Sequence, residues 1–371
     1  MKQTITVKVR IFPSVEQEEL LKRTARLYTQ ACNFVSERVF EGKSLVARKI
    51  HDGVYRDVRV GFGLGSQMSC SVIRTVVGTY RTIHARQPKW SIQPKFARHR
   101  FNAVYGRDYT LTKSGQISLG TVGGRIKLGY ANNPKVSLLD GRLGTATVRC
   151  RHGKWIMYIS IEVAVPDPPQ PENVVGVDRG IRHIAVTHNS AGKTRFYSGA
   201  EVKNKRAHYK QLRASLQRKQ TRSARKRLKA IGDRENRWIS DVNHCIAKAL
   251  ITIEDRPTLF VLENLSGIRK ALTKVKVSQR YLQVSWAYGQ LCDFMKYKAT
   301  QAGHTVIEVN PAYTSQTCPK CGHVSKDSRN RKLHLFECKN CHYRSNDDRV
   351  AAMNLQHKGI QYLQQSQPNN V

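Results

Sequence analysis

Cys318-Pro319-Lys320-Cys321 and, after sixteen intervening residues, Cys338-Lys339-Asn340-Cys341 decide how this chain is read. Each pair offers two thiolates from one tight turn, and two such turns complete a closed, tetrahedral zinc site. Pro319 and Gly322 supply the turn chemistry, Gly322 being suited to the positive φ that ends such a knuckle. The plain alternative, two chance pairs of structural cysteines, does not account for the spacing. The stretch therefore predicts one structural Zn²⁺ held by Cys318, Cys321, Cys338 and Cys341, with no coordination position left for chemistry. Directly after it come Asp347 and Asp348 and the apolar, helix-like run Val350-Ala351-Ala352-Met353. A metal-stapled knob that hands the chain to a carboxylate suggests an acidic active site beside it, with its other members upstream.

Upstream, Val174-Val175-Gly176-Val177 reads as a short, fully apolar strand ending at Asp178, with a second strand reaching Val186. Leu259-Phe260-Val261-Leu262 is another, ending at Glu263. A helix over 285–302, with Ala287, Leu291, Phe294 and Met295 on its stripe, is stopped by Gly303, and the strand Val306–Val309 leads into the cysteine segment. Two strand-tip acids and one acid beside the ribbon make a candidate triad. Converging carboxylates repel one another unless cations sit among them. Two divalent ions bridging a phosphate satisfy that charge and suit in-line phosphodiester hydrolysis, and oxygen ligands favour Mg²⁺. The third acid is Asp347 or Asp348 on pattern alone. Asp348 shares a helical face with Ala351, Ala352 and Leu355, whose small side chains let a helix approach a sheet, while Asp347 is placed to cap the helix.

Charge sets the class of partner. In 371 residues, 64 Lys and Arg against 26 Asp and Glu leave +38, an excess that calls for a polyanion, and nucleic acid is the general one. No apolar run approaches the roughly 20 residues of a membrane span, and no signal-peptide pattern opens the sequence, so a cytoplasmic, nucleoid-associated protein without membrane partners is expected. The other five cysteines, Cys32, Cys70, Cys150, Cys245 and Cys292, read as reduced core thiols. Residues 203–229 carry twelve Lys and Arg and no acid. Tyr209, Leu212, Leu216, Leu228, Ile231, Trp238 and Leu250 keep helical spacing through this region. One or two long helices are predicted, packing one side and showing phosphate-binding charge on the other.

In the first half, residues 4–11 alternate as a half-buried strand, and Ser14 with Gln17 fits a capping box opening a helix whose face is marked by Leu20, Leu27 and Phe34. A second helix is predicted over 67–84 on Ile73, Val76, Val77, Tyr80 and Ile83. Residues 88–110 interleave rings and cations in a way that suits base stacking and phosphate contact. Strands return over 115–165, with a hairpin turn at Arg151–Lys154. Pro166-Asp167-Pro168-Pro169-Gln170-Pro171 is an extended linker, and the Gln- and Asn-rich tail from 356 to 371 reads as disordered.

Four segments together resemble the TnpB family of insertion-sequence-encoded nucleases, relatives of compact type V CRISPR effectors. They are Gly176-Val177-Asp178-Arg179-Gly180-Ile181, Val261-Leu262-Glu263-Asn264-Leu265, Thr314 through Cys341, and Asp348 through Asn354. One departure is Val350, where the family usually has Asn. The resemblance implies an α+β multidomain protein with an RNase H-like (RuvC) catalytic domain at 173–310 and 343–355, interrupted by the zinc ribbon at 311–342. It implies a β-barrel-like wedge domain at 1–12 and 111–165 around a helical recognition domain at 13–110, with a linker at 166–172. It also implies a Mg²⁺-dependent, RNA-guided DNA endonuclease. Such an enzyme binds a guide RNA and double-stranded target DNA with its displaced strand, and cuts beside a short flanking motif. Asp178, Glu263 and Asp348 would then be the acids binding two catalytic Mg²⁺ ions, and the four cysteines the ligands of one structural Zn²⁺. A nuclease-inactive RNA-guided repressor would be expected to lose one acid, and this chain keeps all three. A DNA transposase using the same triad is the other alternative.

Overall fold

The computed structural model describes residues 1–85, 90–131, 138, 141–265 and 288–366 of the chain. It divides into two compact units, Met1–Ala164 and Val165–Val371.

In the first unit, the alternating residues near the start form strand β1 (Lys2–Phe12), with Val7, Val9 and Ile11 inward. The Ser14–Gln17 capping box is present with both reciprocal bonds and opens helix α1 (Val15–Gly42). Its buried face is Leu21, Tyr28, Cys32 and Val35, one residue on from the expected Leu20, Leu27 and Phe34. Those three instead flank the stripe, half-buried. Helix α2 (Ala47–Gly61) has no counterpart in the sequence reading, because only Ile50, Val54 and Val58 mark it among charged residues. Helix α3 (Ser66–His84) matches the predicted span.

The sheet resumes with β2 (Arg100–Val104), earlier than residue 111, and continues through β3 (Tyr109–Leu111), β4 (Ile117–Thr121), β5 (Gly124–Ala131), β6 (Arg142–Arg151) and β7 (Lys154–Ala164). The order is β2-β6-β7-β1-β5-β4-β3, and the edge strands β2 and β3 are joined by one turn with a Tyr105–Tyr109 bridge, so the sheet nearly closes. His152 and Gly153, both at positive φ, make the two-residue β6–β7 hairpin. Helices and strands share one apolar core, which is why 13–110 is not a separate body from the sheet.

Most rings of the basic-aromatic stretch belong to that core as well, Tyr105 alone among the described Trp, Phe and Tyr rings being exposed. Phe101 and Tyr109 are fully buried, and Trp90 packs against Tyr80 and His84. Asn33 holds Phe96 by both its N–H and its carbonyl (2.7 and 2.9 Å), so these aromatics anchor the segment to α1 and are not free for base stacking. Pro88 and Lys89 lie outside the described residues. Of the five remaining cysteines only Cys32 and Cys292 are buried, while Cys150 and Cys245 are exposed, contrary to the core reading.

The second unit is a layered α/β arrangement. Strands β8 (Asn173–Asp178), β9 (His183–Asn189), β10 (Thr194–Ser198), β11 (Thr258–Glu263) and β12 (Thr305–Val309) form a sheet in the order β10-β9-β8-β11-β12. Strands β8, β11 and β12 run parallel, with β9 and β10 antiparallel at one side. Helices α4 (Ala200–Lys219) and α5 (Arg222–Ile251) are separated by Gln220 at positive φ and by Thr221, which caps α5. Helix α6 (Tyr288–Gln301) follows, with Ala287 outside the described residues, and α7 (Asp347–Ser366) closes the unit. The expected disordered tail is therefore helical as far as Ser366. The reason is packing: Leu355 is fully buried, and Ile360 and Leu363 pack with it against Val174, Leu259 and Val261.

Period-2 alternation sorts the sheet's two faces. Val175, Val177, Phe260 and Leu262 face α5 and α6, whereas Val174, Leu259 and Val261 face α7. Two glycines set how closely α7 lies. A Cβ on Gly176 would strike the Ala352 carbonyl and the Gln356 N–H, and one on Gly359 would strike Val174 and Val261. We expect Gly176→Ala to destabilise the protein by at least about 1–3 kcal/mol, since backbone cannot yield as a side-chain tip does. The midpoint of denaturant unfolding measures it, and an unchanged midpoint would contradict this close packing.

Candidate active site

Asp178 and Glu263 end adjacent parallel strands, and the register pairing Val177 with Leu262 makes them neighbours. By alternation Asp178 follows Val174 and Gly176, and Glu263 follows Leu259 and Val261, so both project on the α7 side. Two residues along β8 from Gly176 advance about 6.6 Å. Four residues back along α7 from Ala352 retreat about 6 Å. Because Gly176 meets Ala352, the helix start carrying Asp348 comes level with the strand tip carrying Asp178. The electrostatics agree with this placement. Burial, then the carboxylates of Glu263 and Asp348, push the Asp178 carboxyl well above the usual carboxylate range, with Arg329 acting in the opposite sense.

Each acid has its own support. Arg179, buried on the opposite side, donates to the Tyr288 carbonyl (3.1 Å) and to the Glu263 backbone carbonyl, tying the two strand ends together. The Glu263 carboxylate accepts from the Thr314 hydroxyl. Thr314 is in turn held by α7: Asn354 donates to the Thr314 and Thr317 carbonyls (2.7 and 2.8 Å). One turn on, Lys358 donates to the Asn310 and Ala312 carbonyls. Asp348 accepts from His183 Nδ1 at 2.8 Å.

The neighbouring acid is used differently. Asp347 is 1% exposed, and its Oδ2 accepts from Arg329 Nε at 2.9 Å, with His334 Nδ1 at 3.6 Å from Oδ1. Capping of α7 is the work of Asn346, whose Oδ1 accepts from the backbone N–H groups of Asp348 and Arg349. The expected cap role of Asp347 is met only in part: Asn346 is the main cap, while Asp347 Oδ1 shares the Asp348 N–H (3.0 Å) and its Oδ2 turns inward to an arginine. His334, Asp347 and Asp348 offer ligand atoms within 4.8 Å of one another. Asp178, Glu263 and Asp348 do not all fall within that limit. A cleft of about 980 Å³ opens beside Asp348, lined among others by His183, Arg182, Lys203, Arg329 and Arg331.

The four cysteines come together as their spacing predicts. Cys318 and Cys341 sulfurs are 3.6 Å apart, as are those of Cys321 and Cys338, and all four lie within 4.8 Å of one another. A tetrahedron with metal–sulfur bonds of about 2.3 Å has sulfur edges of about 3.8 Å, so the set fits Zn²⁺. Both knuckles are built alike. The Gly322 N–H returns to the Cys318 carbonyl and the His342 N–H to that of Cys338, with Gly322 and His342 at φ 74 and 56°. Backbone N–H groups of Asn340 and Cys341 point at the Cys338 sulfur, as thiolates require. The knuckles frame a small sheet of β13 (Arg329–Asn330), β14 (Leu335–Glu337) and β15 (Arg344–Asn346). Val350 of α7 is fully buried with Cys318, Phe336 and Cys338, which gives the departure from the family residue a physical role: it joins the ribbon's core to the helix.

His183, Thr314, Arg329, Asn346 and Asn354 escaped the sequence reading as site residues. Thr314, Arg329 and Asn354 carried a signal as members of the quoted motifs, whereas His183 and Asn346 carried none.

The chain matches two family models: "Probable transposase" (OrfB_IS605) over residues 158–265 and "Cas12f1-like, TNB domain" over 288–355. The CRISPR-associated endodeoxyribonuclease Cas12f1 of Syntrophomonas palmitatica is 28% identical over 220 residues, 55% of this chain and 42% of that protein. The TnpB-like protein MJ0751 of Methanocaldococcus jannaschii is 36% identical over 123 residues, 33% of this chain and 43% of that one. The chain spans about half the length of the curated relatives it matches. In fold it is similar to the protein in a cryo-EM structure of a Cas12f1-sgRNA-target DNA complex, with TM-score 0.67 at 15% identity, covering 96% of this chain and 99% of that one. One model takes in Asp178 and Glu263, the other the four cysteines and Asp348, and together with these relatives they support the TnpB family as the one this chain is similar to.

Proposed function

We propose that this protein is an RNA-guided DNA endonuclease of transposon origin. Its second unit would be an RNase H-like (RuvC) nuclease domain with an inserted zinc ribbon, and its first unit would combine wedge and recognition functions. The observation that carries the reading is the convergence of Asp178, Glu263 and Asp348 on one side of a sheet, beside a cationic cleft. Ligands of open α/β sheets sit outside the carboxyl ends of parallel strands, where these acids lie. The sheet order, with the parallel strands β8 and β11 adjacent at its centre, supports the RuvC reading.

Asp178, Glu263 and Asp348 are the residues that would hold Mg²⁺, and the charge repulsion felt by Asp178 is what a divalent cation relieves. When bound, such ions activate water and stabilise the leaving oxygen of a phosphodiester. Thr314 fixes the Glu263 carboxylate, and the Arg179 clamp keeps the two strand tips in register. Arg182, Lys203 and Arg331 line the cleft with charge that attracts the phosphates flanking the cut. Guide RNA and double-stranded target DNA are the proposed partners, in line with the Cas12f1-sgRNA-target DNA complex that shares the fold. Purification from cells tests this directly. A discrete co-purifying RNA, and DNA cutting that needs both that RNA and Mg²⁺, are expected; protein free of RNA that still joins DNA strands would favour the transposase.

The α4–α5 pair supplies a second test. Leu216, Ala224 and Ile231 pack within the pair, leaving Arg222, Arg225, Lys226 and Arg227 exposed. Replacing these four with Gln should weaken nucleic-acid binding uniformly across sequences and flatten the slope of log K against log salt by about 3–4. An unchanged slope would make this run a solvated face.

A further inference from the structure

His183 is the first residue of β9, and its imidazole is held on several sides. The ring meets Phe196 edge-on, with centroids 5.1 Å apart, and its backbone carbonyl accepts from the Gly180 N–H at 3.0 Å. Its Nδ1 lies 2.8 Å from Asp348 Oδ2, in a pair whose side chains are only 18% and 15% exposed. Among the described residues this is the one hydrogen bond that the Asp348 carboxylate accepts. Arg329 Nη2 stands 3.9 Å from Oδ1, beyond hydrogen-bond length. The terminal torsion of an aspartate is broad and roughly two-fold, so without a partner the carboxylate plane would turn freely.

We propose that His183 is a positioning residue for the acid site: by donating to Oδ2 it fixes the orientation in which the Asp348 carboxylate would hold a divalent ion. The inference rests on the acid-site reading above. It does not require His183 to touch substrate or to change its protonation, only to present an N–H at a fixed place. Ligating carboxylates are commonly hydrogen-bonded in this way, and loss of such a partner weakens metal binding about 10–100-fold.

The test uses the full-length, zinc-loaded chain and Mn²⁺ as probe, with affinity read from the rise in thermal midpoint on titration. His183→Asn places a side-chain N–H near the position of Nδ1 and should keep the Mn²⁺ Kd within about threefold of the parent. His183→Phe keeps a ring against Phe196 without the donor and should weaken Kd about 10–100-fold. His183→Leu serves the same comparison if the phenylalanine variant does not fold. Unchanged affinity without the donor overturns the proposal, as does an equal loss in the asparagine variant. Asp348→Ala separates the two levels: if Mn²⁺ stabilises that variant as it does the parent, the acid-site reading fails, whatever His183 does.

Discussion

Asp348→Ala should lower DNA cleavage by at least about 10³-fold, the scale on which loss of one preorganised electrostatic element is felt in an active site. Nucleic-acid affinity should hold or tighten slightly, because one carboxylate is being taken from a protein of net charge +38. The fold should survive. Asp348 is capped through its backbone N–H by Asn346, and its side chain contributes one bond to His183. Asp347→Ala is the informative neighbour. Its carboxylate is buried against Arg329, so its removal should destabilise the ribbon–α7 junction by about 1–3 kcal/mol and leave cleavage measurable under conditions where the protein is folded. Cleavage rates and denaturant midpoints of both variants check this pair of expectations. A dead Asp347 variant beside an active Asp348 variant would reverse the assignment, and full activity in both would end the triad model.

Loss of zinc should have the next largest effect, and it should act on structure first. Cys338 is fully buried, with Cys318, Phe336 and Val350 as its apolar company, and short strands of two and three residues cannot hold such a knob together. Structural zinc in small modules contributes on the order of 10 kcal/mol to folding. Cys338→Ser should therefore leave the segment between the knuckles open to protease. The damage reaches the acids by two routes: Thr314, at the ribbon's entry, holds Glu263, and Arg329, within it, holds Asp347. Cleavage should fall at least about 10–100-fold. Binding of nucleic acid should persist, because the exposed cations of α5 do not depend on the ribbon. Stoichiometric zinc retained in a Cys318→Ser/Cys338→Ser protein would overturn the ligand assignment.

Much of the second unit was legible in one dimension. Apolar runs ending in Asp178 and Glu263 are strands because β-branched and aromatic residues follow one another without a helical period. The first unit was less legible. Helix α2 shows only a narrow apolar stripe, and the rings between 90 and 110 look like a stacking platform until the core they fill is seen. The tail misled for a related reason: Gln and Asn dominate its composition, yet its apolar residues Ile360 and Leu363 fall on the side of Leu355 and find the sheet.

By itself the sequence determined the grouping of the four cysteines, the strand ends at Asp178 and Glu263, the capping box at Ser14 and the strongly basic charge. These follow from properties of near neighbours or of the whole composition: turn chemistry, side-chain period and net charge. Only the tertiary structure decided that Asp347 pairs with Arg329 while Asp348 pairs with His183, that Asn346 caps α7, and that Thr314 holds Glu263. His183 meets Asp348 across 165 residues of chain, and Thr314 meets Glu263 across 51. Such pairs are chosen by how closely α7 lies on β8. That closeness comes from Gly176 and Gly359, whose missing side chains have no periodicity to announce them.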